Sequence, residues 1–150
     1  MNKNKTRIIY TRFFFIFLVI LLFSTDTFCQ NTHIGFWKGI DQGEIGFINI
    51  TENGYALFII SNDSMGGEKF TVNGVQAKMT YTIDYNTQPI KIDFIVIRLD
   101  RNEEVGRLLG IIEFIGDTKM KIRFSFDNPT RPIDFMPEGN GDTIILEKVE

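Results

Sequence analysis

Two acidic residues, Asp93 and Glu113, lie within otherwise apolar stretches and are the strongest candidates for chemistry in this sequence. Carboxylates held among apolar side chains have shifted pKa values, and a pair of them can act as general acid and general base. The structural alternative is that they pair with arginines such as Arg98, Arg107 or Arg123. We favour the structural alternative and predict no catalytic residue.

The single histidine, His33, and the single cysteine, Cys29, exclude most other reaction chemistry. A zinc site with several histidines and a Ser-His-Asp triad both need more than this chain supplies. His33 also lies near the predicted mature N-terminus, where chains are loosely ordered. If Cys29 is removed with a leader, the remaining chain has neither a thiol nor a disulfide. We therefore predict no metal and no cofactor.

The N-terminal segment has the three parts of a secretory signal peptide. Basic residues precede an apolar run of 11 residues, 13–23, and a small, polar stretch follows it. The run is shorter than the about 20 residues that cross a bilayer as a helix. We predict that residues 1–29 are a signal peptide and that residues 30–150 form one exported domain, periplasmic or extracellular. An uncleaved anchor and lipid attachment at Cys29 remain as alternatives, and the bulky Phe28 disfavours the second.

The charge of the mature chain excludes some partners. The leader takes four of the 16 basic and one of the 19 acidic side chains, which leaves 12 against 18 and a net charge of −6. A nucleic-acid binder needs concentrated positive charge to displace counterions from phosphates. We therefore predict a domain that binds no nucleic acid, and we expect it to be monomeric and not to span a membrane.

Hydrophobic alternation with a period of two predicts an all-β fold. No stretch of ten or more residues after the leader carries a helical stripe, and Asn53-Gly54 and Asn73-Gly74 are strong hairpin signals. We predict about eight antiparallel strands, over 35–41, 43–51, 55–61, 68–73, 75–85, 90–100, 105–116 and 118–126, with a last one over 143–149. The segment 62–67 reads as a polar loop. Such a meander commonly closes into a barrel, because closure removes exposed strand edges.

The same alternation predicts which side chains face the interior of the barrel. An eight-stranded barrel has an interior that side chains can just fill, or that holds one small ligand. The predicted lining is Tyr55, Leu57, Ile59, Met79, Tyr81, Ile83, Met120, Ile122 and Phe124. Trp37 is expected to plug the barrel base rather than to stack on a ligand. Arg131, which precedes Pro132, is expected to tie its loop to a nearby carboxylate or carbonyl, although it could also clamp an anionic ligand.

Two parts of the sequence resemble lipocalin-type barrels. Gly35-Phe36-Trp37 at the start of the first strand resembles their Gly-x-Trp motif. The order Pro89-Ile90-Lys91-Ile92-Asp93-Phe94, Gly116-Asp117-Thr118, Arg131-Pro132-Ile133-Asp134-Phe135 and Leu146-Glu147-Lys148 resembles a family of small, secreted, lipocalin-like bacterial domains of uncharacterised function. The resemblance spans residues 35–149 and implies a lipocalin-like barrel whose tryptophan packs across the floor, often against an arginine from a late strand. It implies little about activity, because one fold hosts many functions.

Three functional hypotheses follow from these features. The leading one is non-enzymatic binding of a small apolar or amphipathic ligand in the barrel. The second is an interaction module whose filled barrel presents its loops to a protein of the cell envelope. The third is a carboxylate-based enzyme that uses Asp93 and Glu113. An open interior of a few hundred cubic ångströms favours the first hypothesis, and a packed interior favours the second.

Overall fold

Ten antiparallel strands and no helix make up the part of the chain that the computed structural model describes, which comprises residues 32–41, 43–61, 63–126, 130–136 and 143–149. All of these residues belong to the unit Thr32–Glu150. The predicted leader, Cys29 and the proposed N-terminus Gln30 lie outside the described residues. No helix long and apolar enough to cross a membrane occurs among the described residues.

Consecutive strands pair with each other with one exception, and the first strand also pairs with the last. The strands are β1 (Gly35–Asp41), β2 (Glu44–Ile50), β3 (Ala56–Ile60), β4 (Asp63–Gly66), β5 (Phe70–Val72), β6 (Val75–Asp84), β7 (Ile90–Arg98), β8 (Glu104–Ile115), β9 (Lys119–Ser125) and β10 (Thr143–Val149). The sheet order is β4-β3-β2-β1-β10-β9-β8-β7-β6-β5. The two terminal strands are therefore central, and the edges of the sheet are β4 and β5.

The sheet curls into a nearly closed barrel, because its two edges approach each other around Gly67. Tyr55 forms an isolated antiparallel bridge with Thr80 across the gap. The Gly67 N–H donates to the Ala56 carbonyl at 2.7 Å, and the Met79 N–H donates to the Gly67 carbonyl at 2.9 Å. Gly67 thus links β3 to β6 through its backbone alone.

The prediction of about eight strands was wrong, because the structure has ten. Segment 62–67 was expected to be a loop, but Asp63–Gly66 pairs with β3 in the register Leu57↔Gly66 and Ile60↔Asp63. Asp, Ser and Gly have low strand preference, so the side chains gave no signal of this strand. Backbone hydrogen bonds to a neighbour hold it in place. Each of the other nine predicted segments coincides with one strand to within three residues at either end, and β1 and β10 have the predicted bounds.

Both predicted hairpin signals are confirmed. Asn73 and Gly74 have φ values of 51° and 76° and form the two-residue turn between β5 and β6. Positive φ at both positions is the requirement of a type I′ turn, which matches the twist of the flanking strands. Between β2 and β3 only Gly54 has positive φ, and its N–H donates to the Thr51 carbonyl at 3.1 Å.

The core fills the middle of the barrel. Its centre is a group of three phenylalanines, with Phe58 4.8 Å from Phe94 and Phe124 5.9 Å from both, all edge to face. Such ring pairs add to the stabilisation that burial provides. The buried core residues are Trp37, Ile48, Ile50, Ala56, Phe58, Met79, Ile92, Phe94, Ile112, Met120, Ile122, Phe124 and Leu146.

Residues 130–136, which we call the strap, lie on the outer face of β7, β8 and β9. The Arg123 guanidinium donates to the carbonyl and the carboxylate of Asp134 at 3.0 and 3.1 Å. Lys121 places its Nζ 6.0 Å from the centre of the Phe135 ring. Ile111, opposite Arg123 in the β8–β9 register, is only 1% exposed, although its neighbours Gly110 and Ile112 face the core. We attribute this burial on the outer face to the strap.

Candidate functional site

Six of the nine predicted lining residues face the interior. Met79, Met120, Ile122 and Phe124 are buried in the core. Tyr81 and Ile83 are half-buried and pack against it. The period-two alternation of β6 and β9 therefore predicted the inward face of both strands correctly.

The inward orientation expected for Leu57 and Ile59 is not observed. In β3 the buried side chains are those of Ala56 and Phe58, and Leu57 and Ile59 alternate with them on the opposite face. Tyr55 lies on the same outer face as Leu57 and Ile59 and is not part of the core cluster. The strand is apolar on both faces, so its sequence carries no alternation, and only its pairing with β2 selects the inner face.

An apolar pocket of about 180 Å³ opens at one end of the barrel, which we call the pocket end. This end contains the β1–β2 and β3–β4 turns, the start of β8, the end of β9 and the start of β10. The pocket is lined by Gly39, Glu44, Gly46, Phe47, Ile48, Phe58, Ile60, Met65, Leu108, Phe124, Phe126, Ile144 and Leu146. It is bounded below by the packed core, so the barrel holds a blind pocket rather than a continuous channel.

Two glycines of the pocket lining face each other, and one of them leaves open space. Gly39 and Gly46 are directly opposite each other in the β1–β2 register. The side chains of Leu146 and Ile144 cover Gly39 so closely that an added Cβ would lie 2.6 Å from Leu146 Cδ2. At Gly46 an added Cβ would have no neighbour closer than 3.6 Å, which is ordinary van der Waals contact. Gly46 therefore leaves usable space inside the barrel without needing a special backbone conformation.

The rim of the pocket is partly apolar and carries one charge. Ile60, Met65 and Phe126 are exposed at the rim, Phe126 by 73%. Among the described residues that line the pocket, Glu44 has the only charged side chain. The Ser61 hydroxyl donates to its Oε2 at 3.5 Å.

The opposite end of the barrel, which we call the Trp37 end, is packed and hydrogen-bonded. Trp37 is 0% exposed, and its indole N–H donates to the His33 carbonyl at 2.9 Å. Lys148 Nζ lies 5.3 Å from the centre of the indole ring. The position of Trp37 agrees with the expected structural plug, but the cation over its ring is a lysine from the last strand, not an arginine.

His33 is 7% exposed, in contrast to the loose order expected near the mature N-terminus. The Tyr81 hydroxyl donates to the Thr51 carbonyl at 2.9 Å, so it accepts a hydrogen bond from His33 Nε2 at 3.2 Å. His33 Nδ1 then accepts from the Tyr85 hydroxyl at 2.5 Å. The neutral Nε2–H tautomer of His33 satisfies the imidazole ring and the hydroxyls of Tyr81 and Tyr85. Burial raises the pKa of Tyr81, and the negative charge of Glu52 raises it further.

The two candidate carboxylates are not brought together. Asp93 is opposite Leu109 in the β7–β8 register, and Glu113 lies four residues further along β8, or about 14 Å at the usual rise of a strand. Asp93 pairs with Arg107 at 2.9 Å and Arg131 at 2.5 Å, and Glu113 pairs with Lys121 at 3.4 Å. Each carboxylate therefore has a structural partner on the outer face.

Arg131 anchors the strap to the barrel wall, as expected from its sequence context. Its Nη1 donates to the carbonyls of Gly110 at 2.7 Å and Ile92 at 3.2 Å, and its Nη2 donates to Asp93. A planar guanidinium suits such simultaneous contacts. All three contacts are with the protein, which places Arg131 in a structural role and away from the pocket.

Comparisons of the chain with protein-family models, with curated proteins and with solved structures found no match. Within the described residues, no group of three or more His, Cys, Asp or Glu side chains could hold a metal ion. The lipocalin resemblance thus stays a prediction, and the argument for function rests on the geometry of the two ends.

Proposed function

We propose that this protein is an exported, lipocalin-like binding protein that holds the apolar part of a small amphipathic ligand at the pocket end. The observation that carries the proposal is the apolar pocket of about 180 Å³, which opens between the strands at one end of the barrel. Binding pockets for small molecules are concave and mostly apolar, with few polar groups, and this pocket has that character.

The glycine at position 46 supports a binding role over a packing defect. Protein interiors are close-packed, and unfilled apolar space forfeits van der Waals contacts along its walls. A Cβ at Gly46 would make only ordinary van der Waals contact, with the Ile59 carbonyl oxygen at 3.6 Å, so an alanine there would recover some of these contacts. The space is therefore a feature that stability alone does not require, and an apolar ligand would fill it.

The size of the pocket sets the size of the ligand. A dry apolar cavity of about 150 Å³ holds benzene, so about 180 Å³ fits an alkyl chain of about six to eight carbon atoms. The polar head of such an amphipath would remain at the rim, beside Glu44 and water. Each buried methylene contributes about 0.8 kcal/mol, which is about a fourfold gain in affinity.

A chain-length series tests the proposal. Straight-chain alcohols from pentanol to dodecanol would compete with the small dye 1-naphthylamine on protein purified from an exporting host, with dye fluorescence as the readout. We expect the affinity to rise about fourfold per carbon and to level off near eight carbons, where the pocket is full.

Gly46→Leu is the decisive variant, because its side chain would occupy the pocket. We expect it to abolish displaceable dye binding without lowering the stability of the fold. Gly106→Leu is the matched control, since Gly106 is also a strand glycine with only ordinary contacts and does not line the pocket. Equal dye and alcohol affinities for Gly46→Leu and the parent would overturn the proposal.

A second candidate, docking of an envelope protein onto the loops, is favoured by one observation. Ile133 in the strap is 83% exposed, and Phe126 next to the strap is 73% exposed. If this function holds, Ile133→Ser would abolish co-purification with an envelope protein, and Gly46→Leu would not. The two variants thus separate ligand binding inside the barrel from protein binding outside it.

A further inference from the structure

We infer that the pocket selects amphipaths with a cationic head, a single-chain alkylammonium in the simplest case, over anionic ones such as fatty acids. This inference rests on the proposed function and names the ligand class for the same pocket. The feature that carries it is the carboxylate of Glu44 at the rim of an otherwise uncharged lining.

Glu44 has no cationic partner within the described part of the chain, whereas two other exposed carboxylates of the barrel wall have one. Glu104 pairs with Arg107 at 2.6 Å, and Glu147 pairs with Lys119 at 2.7 Å. The hydrogen bond that Glu44 accepts is the long one from Ser61, at 3.5 Å. Its oxygens are therefore available to a positive group that arrives with a ligand.

The pocket end offers no comparable partner to an anionic head. No lysine or arginine lines the pocket. Arg98 and Arg107, at the end of β7 and the start of β8, are already paired with Asp100 and Glu104. Arg101 lies in the exposed turn between these strands, outside the lining. A carboxylate headgroup would meet Glu44 alone, and like charges repel.

An alkylammonium fits both parts of the site. Its chain would fill the apolar pocket, and its three N–H donors would reach the Glu44 oxygens and water. Because Glu44 is exposed, the charge contributes modestly, by about two- to fivefold in affinity at low salt. Salt would screen this contribution and leave the apolar contribution unchanged.

The experiment compares three ligands that share one chain and differ in head charge. Octylammonium, octanol and octanoate would compete with the same dye at pH 7.5, in low salt and again with about 0.5 M NaCl, where screening is strong. We expect octylammonium to bind about two- to fivefold more tightly than octanol at low salt, and octanoate to bind most weakly. At high salt the three affinities should converge.

Glu44→Gln assigns the effect to the carboxylate. It keeps the size and hydrogen-bonding capacity of the side chain and removes only its charge. We expect it to reduce the preference for octylammonium over octanoate and to leave the affinity for octanol unchanged. Glu103→Gln is the matched control, because it removes one negative charge from the β7–β8 turn at the same end but outside the lining.

The outcomes separate the inference from the proposed function. If all three ligands bind equally, if octanoate binds best, or if Glu44→Gln and Glu103→Gln behave alike, then the cationic preference is overturned while pocket binding stands. If none of the ligands displaces the dye from the parent protein, pocket binding fails and the preference fails with it.

Discussion

The two ends of this barrel differ in whether side chains fill the opening between the strands. At the Trp37 end an indole that is 0% exposed fills the opening, and a histidine and two tyrosines complete a hydrogen-bonded network around it. At the pocket end a pair of glycines faces inward, and the space between the strands stays empty. One end is therefore filled by side chains, and the other keeps an open apolar space where the proposed ligand would bind.

The core between the two ends explains how they can differ so much. The three phenylalanines Phe58, Phe94 and Phe124 pack edge to face across the middle of the barrel. The side chains of His33, Tyr81 and Tyr85 do not line the pocket, whereas Trp37 lies directly opposite the pocket-lining residue Ile48 in the β1–β2 register. A change in the histidine–tyrosine network should therefore leave the pocket nearly unaffected, since distant sites contribute independently to stability.

The largest effect is expected from Trp37→Ala. Removing a fully buried indole leaves a cavity and deletes the hydrogen bond to the His33 carbonyl, and such a change costs about 3–5 kcal/mol of unfolding free energy. Phe126→Ala, at the rim of the pocket end, removes a ring that is 73% exposed and should cost about 0.5 kcal/mol. Urea unfolding followed by far-UV circular dichroism measures both. Equal losses would contradict the contrast between the ends.

A smaller effect is expected from Arg131→Ala, which tests whether the outer wall matters to either end. The variant removes two hydrogen bonds to carbonyls and one ion pair with Asp93, at a cost of about 2 kcal/mol. Arg131→Lys should restore only part of the lost unfolding free energy, because an ammonium group cannot reproduce the planar, forked donors of the guanidinium. Dye affinity at the pocket end should not change in either variant. A loss of dye binding would show that the strap supports the pocket.

An effect smaller than that of Arg131→Ala is expected from Tyr81→Phe, which probes the network at the Trp37 end. Losing the hydroxyl between Thr51 and His33 should cost about 1 kcal/mol at neutral pH. The raised pKa of Tyr81 means that above pH 10 the folded state keeps a proton that the unfolded state releases. The stabilisation by the neutral hydroxyl is thus complete below pH 10 and is lost as the pH rises through the folded-state pKa.

This loss of stability with rising pH is checked by urea unfolding between pH 8 and 11. The midpoints of the parent, Tyr81→Phe and Tyr55→Phe are compared. The parent should lose stability with rising pH more steeply than Tyr81→Phe. Tyr55→Phe, a tyrosine at the same end but outside the network, should keep the slope of the parent. A slope for Tyr81→Phe as steep as that of the parent would contradict the assignment.

Much of the fold was predictable where side chains alternate. The strands β6 and β9 were placed on the correct inner face, and both Asn-Gly turns were found, because these signals are local. The orientation of β3 was missed because Leu57, Phe58 and Ile59 are all apolar. The strand β4 was missed because its pairing depends on backbone groups and not on residue type.

The pocket was less predictable than the strands. The predicted ligand site extended along the whole interior, whereas the pocket lies at one end of the barrel. A glycine between Ile45 and Phe47 is a recognisable signal, since glycine within a strand marks a close approach or missing volume. Its meaning depends on what faces it across the sheet, which only the register of β1 and β2 reveals.

By itself the sequence determined that the chain forms antiparallel strands, where most of them begin and end, and that it lacks the residues for zinc or triad chemistry. The tertiary structure decided the number of strands, the inner face of β3, the separation of Asp93 from Glu113 and the place of the pocket. The reason is physical. Strand formation follows from local alternation and turn residues. The inward side of a strand, the closure of the barrel and its empty volume depend on contacts between residues far apart in the chain.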